Sequence, residues 1–160
     1  MKSRVNLSRF SLVLTIVILA ALFIACIFTV RDRIPFLILL SMYLILIVTG
    51  LIYAPVSISA VTETIVLKSI LRRRRLLLRD VESVQRFSPT MGAIRIIGSG
   101  GFMGYWGIFK EGDIGRYMAF YGKASDCFLV RLKNGDKYVL GCENPQAMAD
   151  YIQSRLPAAA

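Results

Sequence analysis

Two long runs of apolar residues dominate the first third of the chain. One extends from Phe10 to Val30 and the other from Ile34 to Ala54, and neither contains a charged side chain. At about 1.5 Å of rise per residue, helices over these runs would each be about 30 Å long, the thickness of a bilayer's hydrocarbon core. The pattern predicts two transmembrane helices at about residues 10–30 and 34–54.

The connection between the two runs is short and charged. Only Arg31-Asp32-Arg33 separates them, which leaves room for a tight turn and makes the two helices antiparallel. Pro35 is compatible with the first turn of a helix, and Pro55 ends the second span. A hairpin of this kind places both chain ends in one compartment, and residues 1–56 form the predicted membrane part.

The distribution of basic residues predicts the compartment in which both chain ends lie. Three lie before the first span, two lie in the turn, and six lie between Lys68 and Arg79. Because positive charges near helix ends resist translocation, the expected topology is N-in and C-in across the cytoplasmic (inner) membrane.

The N-terminal segment also allows a second interpretation. Lys2, Arg4 and Arg9 resemble the positive start of a secretory signal, and Ala25-Cys26 resembles a lipoprotein processing site. The apolar run is longer than a typical signal core, and an uncleaved hairpin accounts for both runs. We therefore expect Cys26 to be a small apolar residue within the membrane. Gly50 and Ala54 have the spacing that lets helices approach closely.

Beyond Pro55 the pattern changes to short segments separated by turn residues, which indicates strands. The predicted strands are Ser57–Ala60, Thr64–Leu71, Arg73–Leu78, Ser83–Phe87, Ala93–Ile97, Tyr117–Tyr121, Cys127–Lys133 and Lys137–Cys142. Residues 57–160 are thus predicted to form a β-rich domain on the cytoplasmic side.

Asn134-Gly135 predicts the clearest hairpin, because both residues accept the positive φ of a type I′ turn. A two-residue loop there would pair Val130 with Val139 and Cys127 with Cys142. The cysteine pair invites a disulfide, but a cytoplasmic domain is in a reducing compartment and the pair falls at a hydrogen-bonded site with wide Cα separation. Buried free thiols are the prediction.

A helix is expected to close the chain. Asn144 is a candidate cap, Pro145 fits the first helical position, and Pro157 is the expected end. Met148, Tyr151, Ile152 and Leu156 share one face. The predicted fold class is α+β: a two-helix transmembrane hairpin, then a mainly antiparallel β-barrel or sandwich capped by a C-terminal α-helix.

Composition agrees with a membrane protein, since 56% of the residues are hydrophobic and the mean hydropathy is +0.60. The net charge of +10 raises the question of nucleic-acid binding. Residues 1–79 hold eleven Lys or Arg against two acidic residues, whereas residues 80–160 hold nine against eight. The excess lies next to the membrane, so topology and anionic lipid explain it and no nucleic-acid partner is expected.

Three motifs within residues 57–156 resemble the bacterial pleckstrin-homology-like (PH-like) domain proteins of the membrane-anchored type. They are Leu78-Arg79-Asp80-Val81-Glu82-Ser83-Val84, Arg95-Ile96-Ile97-Gly98-Ser99-Gly100-Gly101 with Gly104-Tyr105-Trp106-Gly107, and Gly141-Cys142-Glu143-Asn144-Pro145. The resemblance implies a seven-stranded PH-like barrel with a capping helix. That fold hosts peptide, protein and lipid binding, so it does not assign a ligand.

Glycine recurs at every third position from Gly98 to Gly107, with Phe102, Tyr105, Trp106 and Phe109 interleaved. Met103 stands where a nucleotide fingerprint needs its third glycine. The stretch predicts either a bulged strand and turn or an aromatic loop at the lipid headgroups.

The run Arg72, Arg73, Arg74, Arg75 is predicted to be a solvated turn that records topology, or a lipid-headgroup contact, and the two are compatible. The chain has no histidine and no cysteine cluster, and Glu111 and Asp113 lie beside a predicted turn, where they are expected to be solvated. No enzyme, cofactor or metal site is predicted. We expect a membrane-tethered binding or scaffold module for an unidentified protein partner; the alternative is an accessory subunit that docks through its hairpin.

Overall fold

The computed structural model describes residues 1–61, 63–90 and 92–156, and its architecture confirms the predicted fold class. A short strand and two apolar helices come first, the remaining strands of two mainly antiparallel sheets follow, and a helix closes the domain. The helices are α1 (Arg9–Phe28), α2 (Arg33–Tyr53) and α3 (Pro145–Gln153). The strands are β1 (Lys2–Arg4), β2 (Ser57–Val61), β3 (Thr64–Lys68), β4 (Arg73–Leu77), β5 (Val81–Arg86), β6 (Ile94–Gly101), β7 (Gly104–Glu111), β8 (Gly115–Tyr121), β9 (Cys127–Leu132) and β10 (Lys137–Gly141).

The strands form two sheets that enclose the main core. The first has the order β1-β2-β3-β4, and the second has the order β5-β9-β10-β8-β7-β6, with β8 and β10 parallel. Ile58 and Ile65 of the first sheet pack with Phe128 and Leu140 of the second, and all four are fully buried. The described residues thus contain ten strands, compared with the seven that the family resemblance implies.

A second apolar cluster covers the other face of the larger sheet. Leu129 and Val139 belong to it, together with the aromatic rings of Tyr117 and Tyr121. Since alternate residues of β9 face different clusters, the whole run from Cys127 to Val130 is buried. Both faces of β9 and β10 are therefore covered by protein.

α1 and α2 are long and apolar enough to cross a membrane, and their surfaces are largely uncovered. Only 11% of the apolar window of α1 and 6% of that of α2 is buried. A core helix of a soluble protein would instead be covered by its neighbours. The helices begin and end within two residues of the predicted bounds, and the connection covers Thr29–Asp32.

The first eight residues contribute to the β-rich domain, which the sequence did not predict. β1 pairs antiparallel with β2 through the partners Lys2 and Ser59. The terminal amino group donates to the Ala60 carbonyl at 2.7 Å, and the Ser8 amide donates to the Gly122 carbonyl at 2.9 Å. The hydrogen-bonded sheet thus includes a segment from before α1 and extends beyond the domain that was predicted to begin at residue 57.

The predicted register of the β9–β10 hairpin is wrong by one residue. Val139 pairs with Leu129 rather than Val130, and Gly141 lies opposite Cys127. Only Gly135 in this turn has a positive φ, 88°, so the loop has three residues and ends in a left-handed glycine instead of forming a type I′ turn. The Asn134 side chain accepts from the Asp136 amide at 3.0 Å, which stabilises this alternative.

The corrected register separates the two domain cysteines. Cys127 packs in the second cluster and Cys142 packs in the main core, so their side chains lie on opposite faces of the sheet. Both are buried free thiols, as predicted. Burial raises the pKa of each thiol above its ordinary value.

We expect Cys127 and Cys142 to resist maleimide in the folded protein and to react without prior reduction after denaturation. The raised pKa keeps the thiols protonated, so moving from pH 7 to pH 9 should accelerate native labelling much less than it does for an exposed cysteine. Mass spectrometry of peptides from thiol-blocked, freshly lysed cells measures this. An intact disulfide between these cysteines, or rapid native labelling at pH 7, would contradict the placement.

Helix α3 covers the open side of the main core. Met148 and Ile152 are fully buried, and Tyr151 and Leu156 pack partly against the same cluster, as their spacing predicts. Asn144 occupies the N-cap position without a side-chain hydrogen bond, so its predicted capping role is wrong. Its carbonyl instead accepts from the Met148 amide at 3.1 Å. The helix ends at Gln153, and the expected stop at Pro157 lies outside the described residues.

Candidate functional site

The tip of the β6–β7 hairpin lies between the domain-proximal ends of α1 and α2. The Met103 amide donates to the Thr15 hydroxyl at 2.8 Å. A side chain at Gly50 would meet the Met103 sulfur, and one at Gly101 would meet Leu14. Gly50 therefore makes room for the hairpin tip rather than for a neighbouring helix, which corrects the helix-packing interpretation. The tip fixes the domain against the helix pair.

Glycines determine the backbone of this hairpin. Gly98 and Gly107 are paired across the strands, with φ of 117° and 115°, and the register shifts between Arg95 and Ile97. Gly101 and Gly104 flank the Phe102–Met103 turn, also with positive φ. The bulged strand and turn are thus the structural explanation of the glycine repeat.

The four aromatic side chains of this stretch do not form one loop surface. Phe109 is 4% exposed and stacks on Tyr117 in the second cluster. Tyr105 stacks on Tyr121 with ring centroids 4.9 Å apart. The structure thus assigns both rings to the domain, which disagrees with an interface role for them.

The remaining two aromatic residues lie at the helix ends. Phe102 is buried at the hairpin tip, where its carbonyl accepts from the Trp106 indole at 3.3 Å. The half-buried Trp106 ring stacks on Tyr53, the last residue of α2, with centroids 5.2 Å apart. Of the four candidates, Phe102 and Trp106 are the ones next to the apolar helices.

The arginine run is also divided. The turn covers Ser69–Arg72, and Arg73–Leu77 form β4, so the prediction of one solvated turn over all four arginines is wrong. Strand alternation exposes Arg73 and Arg75 on one face and directs Arg74 to the core side with Leu76. Arg72 lies over the Tyr53 ring, 5.6 Å from its centroid.

A basic face results on the outer side of the first sheet. Directly paired residues share a face, so Arg4, Ser57, Lys68 and Arg73 form one row and Lys2, Ser59, Val66 and Arg75 form the next. The first of these rows is the one closer to the helices. Five cations and no acidic residue occupy the two rows. The sheet pairing alone brings Lys2, Arg4 and Lys68, which are distant in sequence, onto the same face as Arg73 and Arg75.

A cavity of about 310 Å³ separates the two sheets at this end of the domain. Leu67 and Arg74 face it from the first sheet, and paired residues of β7 and β8 face it from the second. The latter are Trp106, Ile108, Met118 and Phe120. The last turn of α2 completes the wall with Ile52 and Tyr53. The cavity is therefore mainly apolar, with arginine at its edge.

Glu111 is buried rather than solvated, which corrects the prediction for this residue. It is 5% exposed, and one carboxylate oxygen accepts from both the amide and the hydroxyl of Thr90, at 2.9 and 2.6 Å. Burial, reinforced by the Glu111 charge, raises the pKa of Tyr117 to about 12. These contacts fix Thr90 to the end of β7. In the described part of the chain, no three metal-ligating side chains come together.

Strand β6 is an open edge of the larger sheet. Ile94, Ile96 and Ile97 on it are 67%, 47% and 67% exposed. The bulge between Arg95 and Ile97 interrupts the alternation, so neighbouring isoleucines both remain uncovered. An exposed apolar edge strand is a surface on which another chain can pair.

Comparisons with known proteins give one result. A family model described as a bacterial PH domain matches residues 56–156. No curated protein and no solved structure matches the chain.

Proposed function

The chain belongs to the bacterial PH domain family, and from this premise we propose that it is a membrane-tethered binding module that presents its PH domain to a protein partner at the cytoplasmic face. PH domains are typically binding modules without catalytic activity. In the proposed arrangement the helix hairpin anchors the domain, and anionic lipid assists binding through the basic face.

Three features support the membrane arrangement. The surfaces of α1 and α2 are apolar and uncovered, as lipid contact requires. The segment before α1 forms hydrogen bonds with the domain after α2, so the two must share a compartment. The basic face lies where an anionic inner leaflet would attract it. Together these favour the N-in and C-in topology.

The open edge of β6 is the observation that carries the protein-binding proposal. An extended peptide that pairs with Ile94–Ile97 would satisfy the free backbone groups and cover three exposed isoleucines. The Gly101 end of β6 is the one that lies against α1, where a side chain would meet Leu14, and Ile94 begins the strand at its opposite end. A partner could therefore bind without displacing the anchor.

A photo-crosslinking amino acid at Ile96 of the full chain, expressed in its own host, tests this proposal. The full chain is needed because β1 comes from residues before α1. We expect Ile96 to capture a defined protein, identified by mass spectrometry, and Ile97→Lys to reduce the yield roughly tenfold by placing a charge on the edge. The same crosslinker at the exposed Lys133 in the β9–β10 turn is the control and should capture nothing specific.

The alternative function, an accessory subunit that docks through its hairpin, rests on the same uncovered helices. A crosslinker at Ile45 of α2, which is 61% exposed, distinguishes the two. Capture from Ile45 with none from Ile96 would replace the edge-strand proposal with helix docking.

A further inference from the structure

The cavity between the sheets combines an apolar interior with unpaired positive charge. Its volume of about 310 Å³ is at the lower end of the range for small-molecule sites. Ile108 and Phe120 supply apolar walls, and Gly98 and Gly107 contribute only backbone, which leaves the space open. An apolar chain fits such a space better than a polar solute does.

Two arginines at the edge of the cavity have no acidic partner among the residues that the structure describes. The ion pairs among the described residues are Arg79 with Asp80 and Lys123 with Asp126, and neither pair involves an arginine of the cavity. Arg74 is half-buried and contacts the Met118 sulfur, and Arg72 rests on the Tyr53 ring. A partly buried guanidinium without a carboxylate provides binding energy for an incoming anion.

The position of the cavity indicates where that anion comes from. Ile52 and Tyr53, at the end of α2 nearest the domain, form part of its wall. For a helix that spans the bilayer, this end lies at the level of the lipid headgroups. The cavity therefore adjoins the leaflet on the domain side.

We propose that the cavity binds an anionic phospholipid of that leaflet, with one acyl chain between the sheets and the phosphate at Arg74 and Arg72. This inference deepens the proposed function by naming a lipid ligand and a site distinct from the outer basic face. It does not require the protein partner, so the two proposals can fail separately.

Trp106 provides the measurement, because it is the only tryptophan and its ring lines the cavity. The full chain is placed in phosphatidylcholine nanodiscs that contain a small fraction of a lipid with brominated acyl chains. In one sample this brominated lipid is phosphatidylglycerol, and in the other it is phosphatidylcholine. Bromine quenches indole fluorescence on contact. We expect brominated phosphatidylglycerol to quench Trp106 more strongly than the same fraction of brominated phosphatidylcholine.

Arg74→Gln should remove most of this preference. Loss of one arginine is expected to lower the occupancy of the cavity by phosphatidylglycerol roughly fivefold. Arg86→Gln is the matched control, since Arg86 is an exposed strand residue of the same charge that lies on β5, outside both the cavity lining and the basic face. The control should keep the preference. Arg74→Lys retains the charge and should keep at least part of it, which separates charge from a folding defect.

Ile108→Phe fills the cavity while both arginines remain, so it should also reduce the preferential quenching. Equal quenching by the two lipids in the wild-type protein would overturn the proposal. A preference unchanged by both Arg74→Gln and Ile108→Phe would also overturn it, because the bromine would then reach Trp106 from the leaflet alone.

Discussion

Replacing Gly98 with alanine should destroy much of the stability of the domain. The residue has a φ of 117°, and a Cβ there would meet the Trp106 carbonyl of the paired strand. Neither the backbone angle nor the opposing main chain can relax without separating β6 from β7. Left-handed strain and overpacking together should cost about 2–5 kcal/mol of the free energy of unfolding.

The matched control is Gly100→Ala in the same strand. Gly100 does not have a positive φ, and its nearest neighbour atoms belong to the flexible Arg95 side chain at 3.7 Å or more. Thermal unfolding of the detergent-solubilised full chain, followed by Trp106 fluorescence, should show a drop in Tm on the order of 10 °C for Gly98→Ala and little change for the control. Equal Tm values for the two variants would contradict the glycine account.

The same glycines show what the sequence could and could not predict. Their spacing in the sequence indicated special backbone angles, and the structure has a bulge and a turn there. The pattern did not reveal that Gly98 pairs with Gly107, because cross-strand partners depend on a register that a glycine repeat leaves open. Without that pairing, the four aromatic residues looked like one loop, although Phe109 belongs to the core.

Turn chemistry limited the prediction of the β9–β10 hairpin. Asn-Gly correctly located the turn, but the side chain of Asn134 stabilises a three-residue loop, and a shift by one residue changed every partner along the pair. The prediction of buried thiols was correct despite this error. Both strands are covered on both faces, so Cys127 and Cys142 are buried in either register.

Long-range pairing explains the features that the sequence did not indicate. Lys2–Arg4 is too short to show a strand pattern, and it becomes β1 only because the edge of β2 is available. The arginine run was visible, but its division into an outward pair and an inward Arg74 depends on where β4 begins. The basic face and the cavity both follow from that division.

Topology is the second feature for which we expect a large, all-or-none effect. The pairing of β1 with β2 holds the residues before α1 next to the domain after α2, so inverting one end of the hairpin would break the first sheet. The basic residues from Lys68 to Arg79 add the charge bias that retains a segment in the cytoplasm. The domain and both chain ends are therefore expected on the cytoplasmic side.

Reporter fusions after Ala160 test this arrangement, and with it the proposed binding module at the cytoplasmic face, most directly. Green fluorescent protein at that position should fluoresce, and alkaline phosphatase, which needs the oxidising periplasm, should be inactive there. Phosphatase inserted in the turn between Val30 and Arg31 is the positive control and should be active. An active phosphatase together with a dark fluorescent protein after Ala160 would put the domain outside and contradict the account.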